Sequence, residues 1–95
     1  MDYKRTERVH ISVSGRVQGV GYRYFIVRAA HGLSLTGIVR NMPDGSVEIE
    51  SEGDRNSLEK LIAACWQGPA MSVVRDVNVD WSVATGGFKD FIITY

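Results

Sequence analysis

The residues best suited to chemistry lie early in the chain. Gly15-Arg16-Val17-Gln18-Gly19-Val20-Gly21 places three glycines in seven positions, and Arg23 follows two residues later. Glycine adopts left-handed backbone angles at little steric cost. Successive N–H groups can then converge into a concave nest for an anion. A helix starting at the end of such a loop adds unpaired N–H groups and the positive end of its dipole. The Arg23 guanidinium could fork onto the same anion. The chemistry suggested is recognition of a phosphate-like group. Two familiar nucleotide patterns do not fit. The sequence G-x-x-x-x-G-K-[ST] is absent, and Gly19-Val20-Gly21 opens a G-x-G-x-x-G whose last position is Tyr24. A plain flexible connector would share this glycine content, so composition alone leaves both readings open.

An anion cradle needs a strand before it and a helix after it. Val9, Ile11 and Val13 alternate with His10, Ser12 and Ser14, the pattern of a half-buried strand. From Tyr22 the period changes. Tyr22, Phe25, Ile26, Ala29, Ala30 and Leu33 mark an amphipathic helix, with Gly32 suited to its C-terminal cap. Thr36 to Met42 reads as a second strand, with Val39 and Asn41 on one face. Met42-Pro43-Asp44-Gly45 is a tight turn into a third strand, Ser46 to Glu52. On that strand Val47 and Ile49 face inward, while Glu48, Glu50 and Glu52 form a solvated face.

Asp54 can cap a second helix, whose apolar stripe is Leu58, Leu61, Ile62, Cys65 and Trp66. Gly68-Pro69 stops it. Val73, Val77, Val79, Trp81 and Val83 then share one strand face, and Phe91, Ile93 and Tyr95 alternate in a closing strand. The order is βαββαβ with an added C-terminal strand. It predicts an α+β protein, a ferredoxin-like α/β sandwich with two helices on one face of a mostly antiparallel sheet. Many unrelated activities use that fold.

Composition removes several function classes. Ninety-five residues, 44% hydrophobic and 23% charged, predict a single globular domain over 1–95, with residues 1–7 frayed. Eleven basic residues balance eleven acidic ones, so no long-range field attracts nucleic acid or anionic lipid. No apolar run is long enough to span a membrane, and no secretory signal is visible. A single cysteine excludes an internal disulfide and every multi-cysteine metal centre. The chain reads as cytoplasmic.

The order of residues around the glycine loop is more specific than their number. Gly15-x-Val17-Gln18-Gly19-Val20-x-Tyr22-Arg23 resembles the signature loop of acylphosphatases. Gly37-Ile38-Val39-Arg40-Asn41-x-x-Asp44-Gly45-x-Val47-Glu48 resembles that family's second motif, and Gly68-Pro69 followed by Val74 and Val77 fits its layout. The resemblance spans about residue 8 to residue 95. It implies a ferredoxin-like sandwich that hydrolyses the carboxyl–phosphate bond of acyl phosphates. It also implies a catalytic pair, Arg23 and Asn41, and a phosphate cradle of Gln18, Gly19, Val20, Gly21 and Tyr22. Tyr22 stands where phenylalanine is common and Ile38 where tryptophan is common. The extra Tyr22 hydroxyl needs a partner or water.

These residue types suit that reaction. A carboxylate is a stable leaving group, so no general acid is required. Loop N–H groups and Arg23 would hold the phosphoryl oxygens, and the Asn41 amide would hold a water. No metal or cofactor is expected, because guanidinium and backbone dipoles supply the positive charge. Expected partners are a small acyl phosphate as substrate and inorganic phosphate as product, with no nucleic acid, no membrane and a monomeric state. Blander readings stand beside these. Arg23 could be a solvated helix residue and Asn41 a strand-end residue preparing the turn. Cys65 reads as a core thiol, His10 as exposed, and His31 as a residue near a helix C-terminus. Two rival functions remain. One is a domain of the same fold that binds a phosphorylated ligand without turnover. The other is an RNA-binding domain, disfavoured because the third strand is acidic and lacks an aromatic.

Overall fold

Strand and helix follow from the two periodicities in turn. A computed structural model describes residues 6–95. Its elements are β1 (Thr6–Arg16), α1 (Tyr22–Gly32), β2 (Thr36–Asn41), β3 (Val47–Asp54), α2 (Arg55–Gln67), β4 (Val73–Val83) and β5 (Phe91–Ile93). The sheet order is β4-β1-β3-β2-β5. All neighbours are antiparallel except β2 and β5, which run parallel. β3 enters between β1 and β2, the pair that α1 joins. This is the ferredoxin-like arrangement, with β5 added at one edge.

One face of the sheet carries the core. Val9, Ile11 and Val13 of β1, Val39 of β2 and Val47 and Ile49 of β3 are fully buried there. Tyr22, Ile26 and Ala30 of α1 and Leu58, Leu61 and Cys65 of α2 join them in a single cluster. The loop and the two helix termini above it therefore rest on a close-packed layer, which resists displacement.

The structure corrects several expectations. β1 begins at Thr6, which pairs with Asp54, so Thr6 and Glu7 are strand residues rather than a frayed end. Residues 1–5 of the segment expected to fray lie outside the described residues. In β4 the inward face changes hands at a bulge. Ser14 pairs with Asp76 but Gly15 pairs with Val74, which leaves Arg75 unopposed. Beyond the bulge Val74 packs on the core and Val73 is exposed. Gly15 makes this possible, with φ at +124° and a would-be Cβ only 2.2 Å from the Val73 carbonyl oxygen. Val83 and Trp66 are exposed, not core residues. Leu33 is the C-cap of α1, and the left-handed residue after it is Ser34, not Gly32. Asp54 occupies the N-cap of α2 but makes no capping hydrogen bond.

The other sheet face is a charge network rather than a solvated row. Glu48 accepts from His10 Nε2 at 2.8 Å and from Arg40 Nε at 2.6 Å. Arg8 pairs with both Glu50 and Glu52. Glu52 is only 4% exposed, because the segment after β4 folds over it. Its carboxylate accepts from the Thr85 hydroxyl at 2.7 Å, the Thr85 N–H at 3.0 Å and the Gly86 N–H at 2.8 Å. Burial alone would raise this carboxyl. The Thr85, Arg8 and Gly86 hydrogen bonds outweigh it and bring the pKa from 4.5 down to about 2.

A carboxyl held below its unfolded value stabilises the fold above that value. The contribution of Glu52 is complete above pH 4.5 and is lost as pH falls towards about 2. Glu52→Gln is expected to lose about 2 kcal/mol at pH 7. Urea unfolding at a series of pH values should give the variant a shallower loss of stability over that acid range. Parallel curves for variant and wild type would contradict the assignment.

Candidate active site

The chain leaves β1 at Arg16 and must enter α1 by Tyr22. Val17 is buried and anchors the start of the turn. Gly19 and Gly21 adopt φ of +73° and +78°, and no atom lies within 4 Å of a Cβ built on either. Backbone angle, not crowding, requires glycine here. Open space lies where side chains would project.

Gly21 is the N-cap of α1, and its carbonyl accepts from the Phe25 N–H at 3.1 Å. No side chain caps this end, and its first turn has no acidic residue. Such N–H groups and dipole are available to an external anion.

Gln18 sets the position of the loop. Its side-chain Nε2 donates to the Met42 carbonyl at 2.9 Å and to the Ser46 carbonyl at 2.8 Å. Those carbonyls belong to the turn between β2 and β3. That turn is closed by the Met42 N–H on the Ser46 carbonyl at 2.8 Å and by the Gly45 N–H on the Met42 carbonyl at 3.1 Å. Asp44 Oδ1 accepts from the Ser46 N–H at 2.9 Å and holds it further. Gln18 thus ties the glycine loop to the residue that follows Asn41. The sequence places Gln18 in the cradle through its backbone, and its side-chain tie was not legible there.

Asn41 is the last residue of β2 and pairs with Val47. It shares the face of Val39, so its amide points to the helical side of the sheet. Its Oδ1 is buried and has no hydrogen-bond partner among the described residues. An unmet buried acceptor costs about 1–3 kcal/mol.

Arg23 is the second residue of α1. Its guanidinium carbon lies 5.4 Å from the centre of the Tyr95 ring, a cation–π distance. Among the described residues it forms no ion pair with a carboxylate. Tyr95 reaches it because β5 runs parallel to β2, with Ile93 beside Val39 and the Thr94 N–H on the Val39 carbonyl at 2.9 Å. The expected alternation through Tyr95 stops at Ile93, and Tyr95 itself is 96% exposed. Nothing in the sequence signalled this contact, which depends on the strand order.

The Tyr22 hydroxyl finds a partner across the helix pair. It donates to the Cys65 carbonyl at 2.8 Å. In a continuing helix that carbonyl would accept from residue 69, but Pro69 has no N–H. Tyr22 therefore satisfies an acceptor that the helix-ending Gly68-Pro69 leaves open. Burial pushes the phenol well above its usual range. It also pushes the Cys65 thiol up to about 12, leaving it an inert core group. His10 is committed to Glu48, and His31 Nε2 lies 3.1 Å from the Phe91 carbonyl. No cluster of His, Cys, Asp or Glu among the described residues could hold a metal ion.

The structure is a ferredoxin-like sandwich whose glycine loop leads into the uncapped start of its first helix. The family model described as Acylphosphatase matches residues 9–93. The acylphosphatase of Methylococcus capsulatus is 47% identical over 87 residues, which cover 92% of this chain and 95% of that protein. The crystal structure of acylphosphatase from Bacillus subtilis superposes with a TM-score of 0.91 at 42% identity, covering 94% of this chain and 99% of that one. The structure of an acylphosphatase from Coxiella burnetii gives 0.89 at 34% identity, covering 99% and 100%. The chain belongs to the acylphosphatase family.

Two substitutions probe the architecture around the loop. Gln18→Ala is expected to lose about 1–2 kcal/mol of unfolding free energy, because it removes two hydrogen bonds that tie the loop to the turn. Tyr22→Phe is expected to lose a similar amount, because it orphans the Cys65 carbonyl. Denaturant midpoints at constant slope would measure both. An unchanged midpoint for either would mean that water replaces the lost donor.

Proposed function

We propose that this chain hydrolyses acyl phosphates to a carboxylate and inorganic phosphate, with Arg23 and Asn41 as its catalytic pair. The phosphoryl oxygens rest on the N–H groups from Gln18 through Tyr22 and on the Arg23 guanidinium. The Asn41 side-chain amide holds a water for in-line attack. The observation that carries this reading is the grip of Gln18 on the turn that begins one residue after Asn41, which brings the glycine loop and the end of β2 together. The water oxygen bonds to phosphorus as the bond from phosphorus to the acyl oxygen breaks. The carboxylate leaves with that electron pair, and the water's proton passes to a phosphate oxygen or to solvent.

An amide is a poor base, so positioning and charge supply the rate. Arg23 and the loop dipoles provide the positive charge, and no metal or cofactor takes part. The enzyme acts as a cytoplasmic monomer, in one domain, on small molecules rather than on nucleic acid. Two facts are compatible with that setting. No helix among the described residues is long and apolar enough to cross a membrane. The third strand, Val47–Asp54, has no aromatic residue to stack on a base.

The test is turnover of acetyl phosphate beside an alkyl phosphate monoester, with folding of each variant checked by circular dichroism. Arg23→Lys is expected to lose about a hundredfold or more in kcat/KM, because an ammonium cannot supply two parallel donors. Asn41→Ala is expected to lose about a hundredfold, mainly in kcat. The wild-type rate should show no enzyme group titrating near pH 7 and should survive a metal chelator. Stoichiometric phosphate binding without turnover would instead favour a ligand-binding domain of this fold.

A further inference from the structure

A groove leaves the glycine loop and follows α1. Val20 and Gly21 form its upper end, and Tyr24, Phe25 and Ala29 form its wall. Pro69 and Arg28 line it as well. The cavity measures about 590 Å³, which is large for a bare phosphoryl group and suited to a ring-sized body. Tyr24 is 69% exposed along it. Arg28 has no carboxylate within one helical turn: positions three and four away hold Tyr24, Phe25, His31 and Gly32. It makes no ion pair elsewhere among the described residues.

We propose that this groove is the subsite for the acyl group, and that it favours acyl phosphates whose apolar, ring-sized acyl group ends in a second negative charge met by Arg28. The proposal rests on the phosphoryl placement given above. Continuity argues for this occupant, since Val20 and Gly21 belong to both cradle and groove. In-line geometry argues for it as well. The loop meets the Asn41 strand through Gln18 at one end and opens into the groove through Val20 and Gly21 at the other. A water held at Asn41 then leaves the groove side to the departing carboxylate. Seven residues of helix separate Gly21 from Arg28, a rise of about 10 Å. That span matches an aromatic acyl group with a carboxylate at its far end.

The test compares acetyl phosphate, benzoyl phosphate and para-carboxybenzoyl phosphate on wild type, Arg28→Gln and Tyr24→Ala. Arg28→Gln is expected to raise KM for the carboxylated substrate about fivefold and to leave its kcat, and both other substrates, unchanged. High salt should remove the same preference from wild type. Tyr24→Ala is expected to weaken both aromatic substrates several-fold and spare acetyl phosphate. Equal effects on all three substrates, or none, would overturn the groove assignment while acetyl phosphate turnover kept the catalytic reading intact. Failure of wild type to hydrolyse any of the three would overturn both.

Discussion

The candidate site depends on one constraint in seven residues of backbone. Between Arg16 and Tyr22 the chain must convert a strand into a helix without spending its N–H groups on itself. Left-handed angles at Gly19 and Gly21 achieve the turn. The uncapped start of α1 leaves its first amides available. A loop of this kind, with few internal bonds, would be mobile if nothing else held it. Gln18 supplies the restraint from the side, by gripping two carbonyls of the β2–β3 turn. The restraint uses a side chain, so it consumes none of the loop's backbone donors. The same two bonds fix the loop relative to the end of β2, where Asn41 sits.

The two sheet faces serve different ends. The inner face is an apolar layer that supports both helices and fixes the start of α1 over the end of β2. The outer face is held by charge. Arg8 bridges two glutamates, Glu48 joins His10 to Arg40, and Glu52 receives the segment that follows β4. Pairing of these carboxylates limits the negative field they cast towards the opposite side. Phosphoryl chemistry at the top of the sheet is therefore compatible with three glutamates on one strand.

Much of this was legible in the sequence because it follows from local rules. Alternation in β1 and the helical period from Tyr22 identify the elements around the loop. Met42-Pro43-Asp44-Gly45 folds as the turn its residues dictate. Asn41 and Arg23 stand where the motif resemblance placed them, at the end of β2 and the start of α1. What was hidden depends on non-local pairing. The bulge at Gly15 reverses the parity of β4, so Val74 takes the inward place expected of Val73. Glu52 shares the parity of solvent-facing residues, but the chain around Thr85 returns to cover it. The Tyr22 hydroxyl answers a carbonyl forty-three positions away that is open only because Pro69 lacks a donor. The Arg23–Tyr95 stack follows from a parallel edge strand, which no local pattern announces.

The central claim is that the loop amides and Arg23 hold a phosphoryl group beside the Asn41 side-chain amide. It is tested most directly by nuclear magnetic resonance of the labelled protein during titration with inorganic phosphate. Saturable shifts are expected at the backbone amides of Gly19, Gly21 and Tyr22 and at the Asn41 side-chain amide, and Arg23→Ala should abolish them. Saturable binding that leaves those four signals unmoved and perturbs another part of the sheet would contradict the claim.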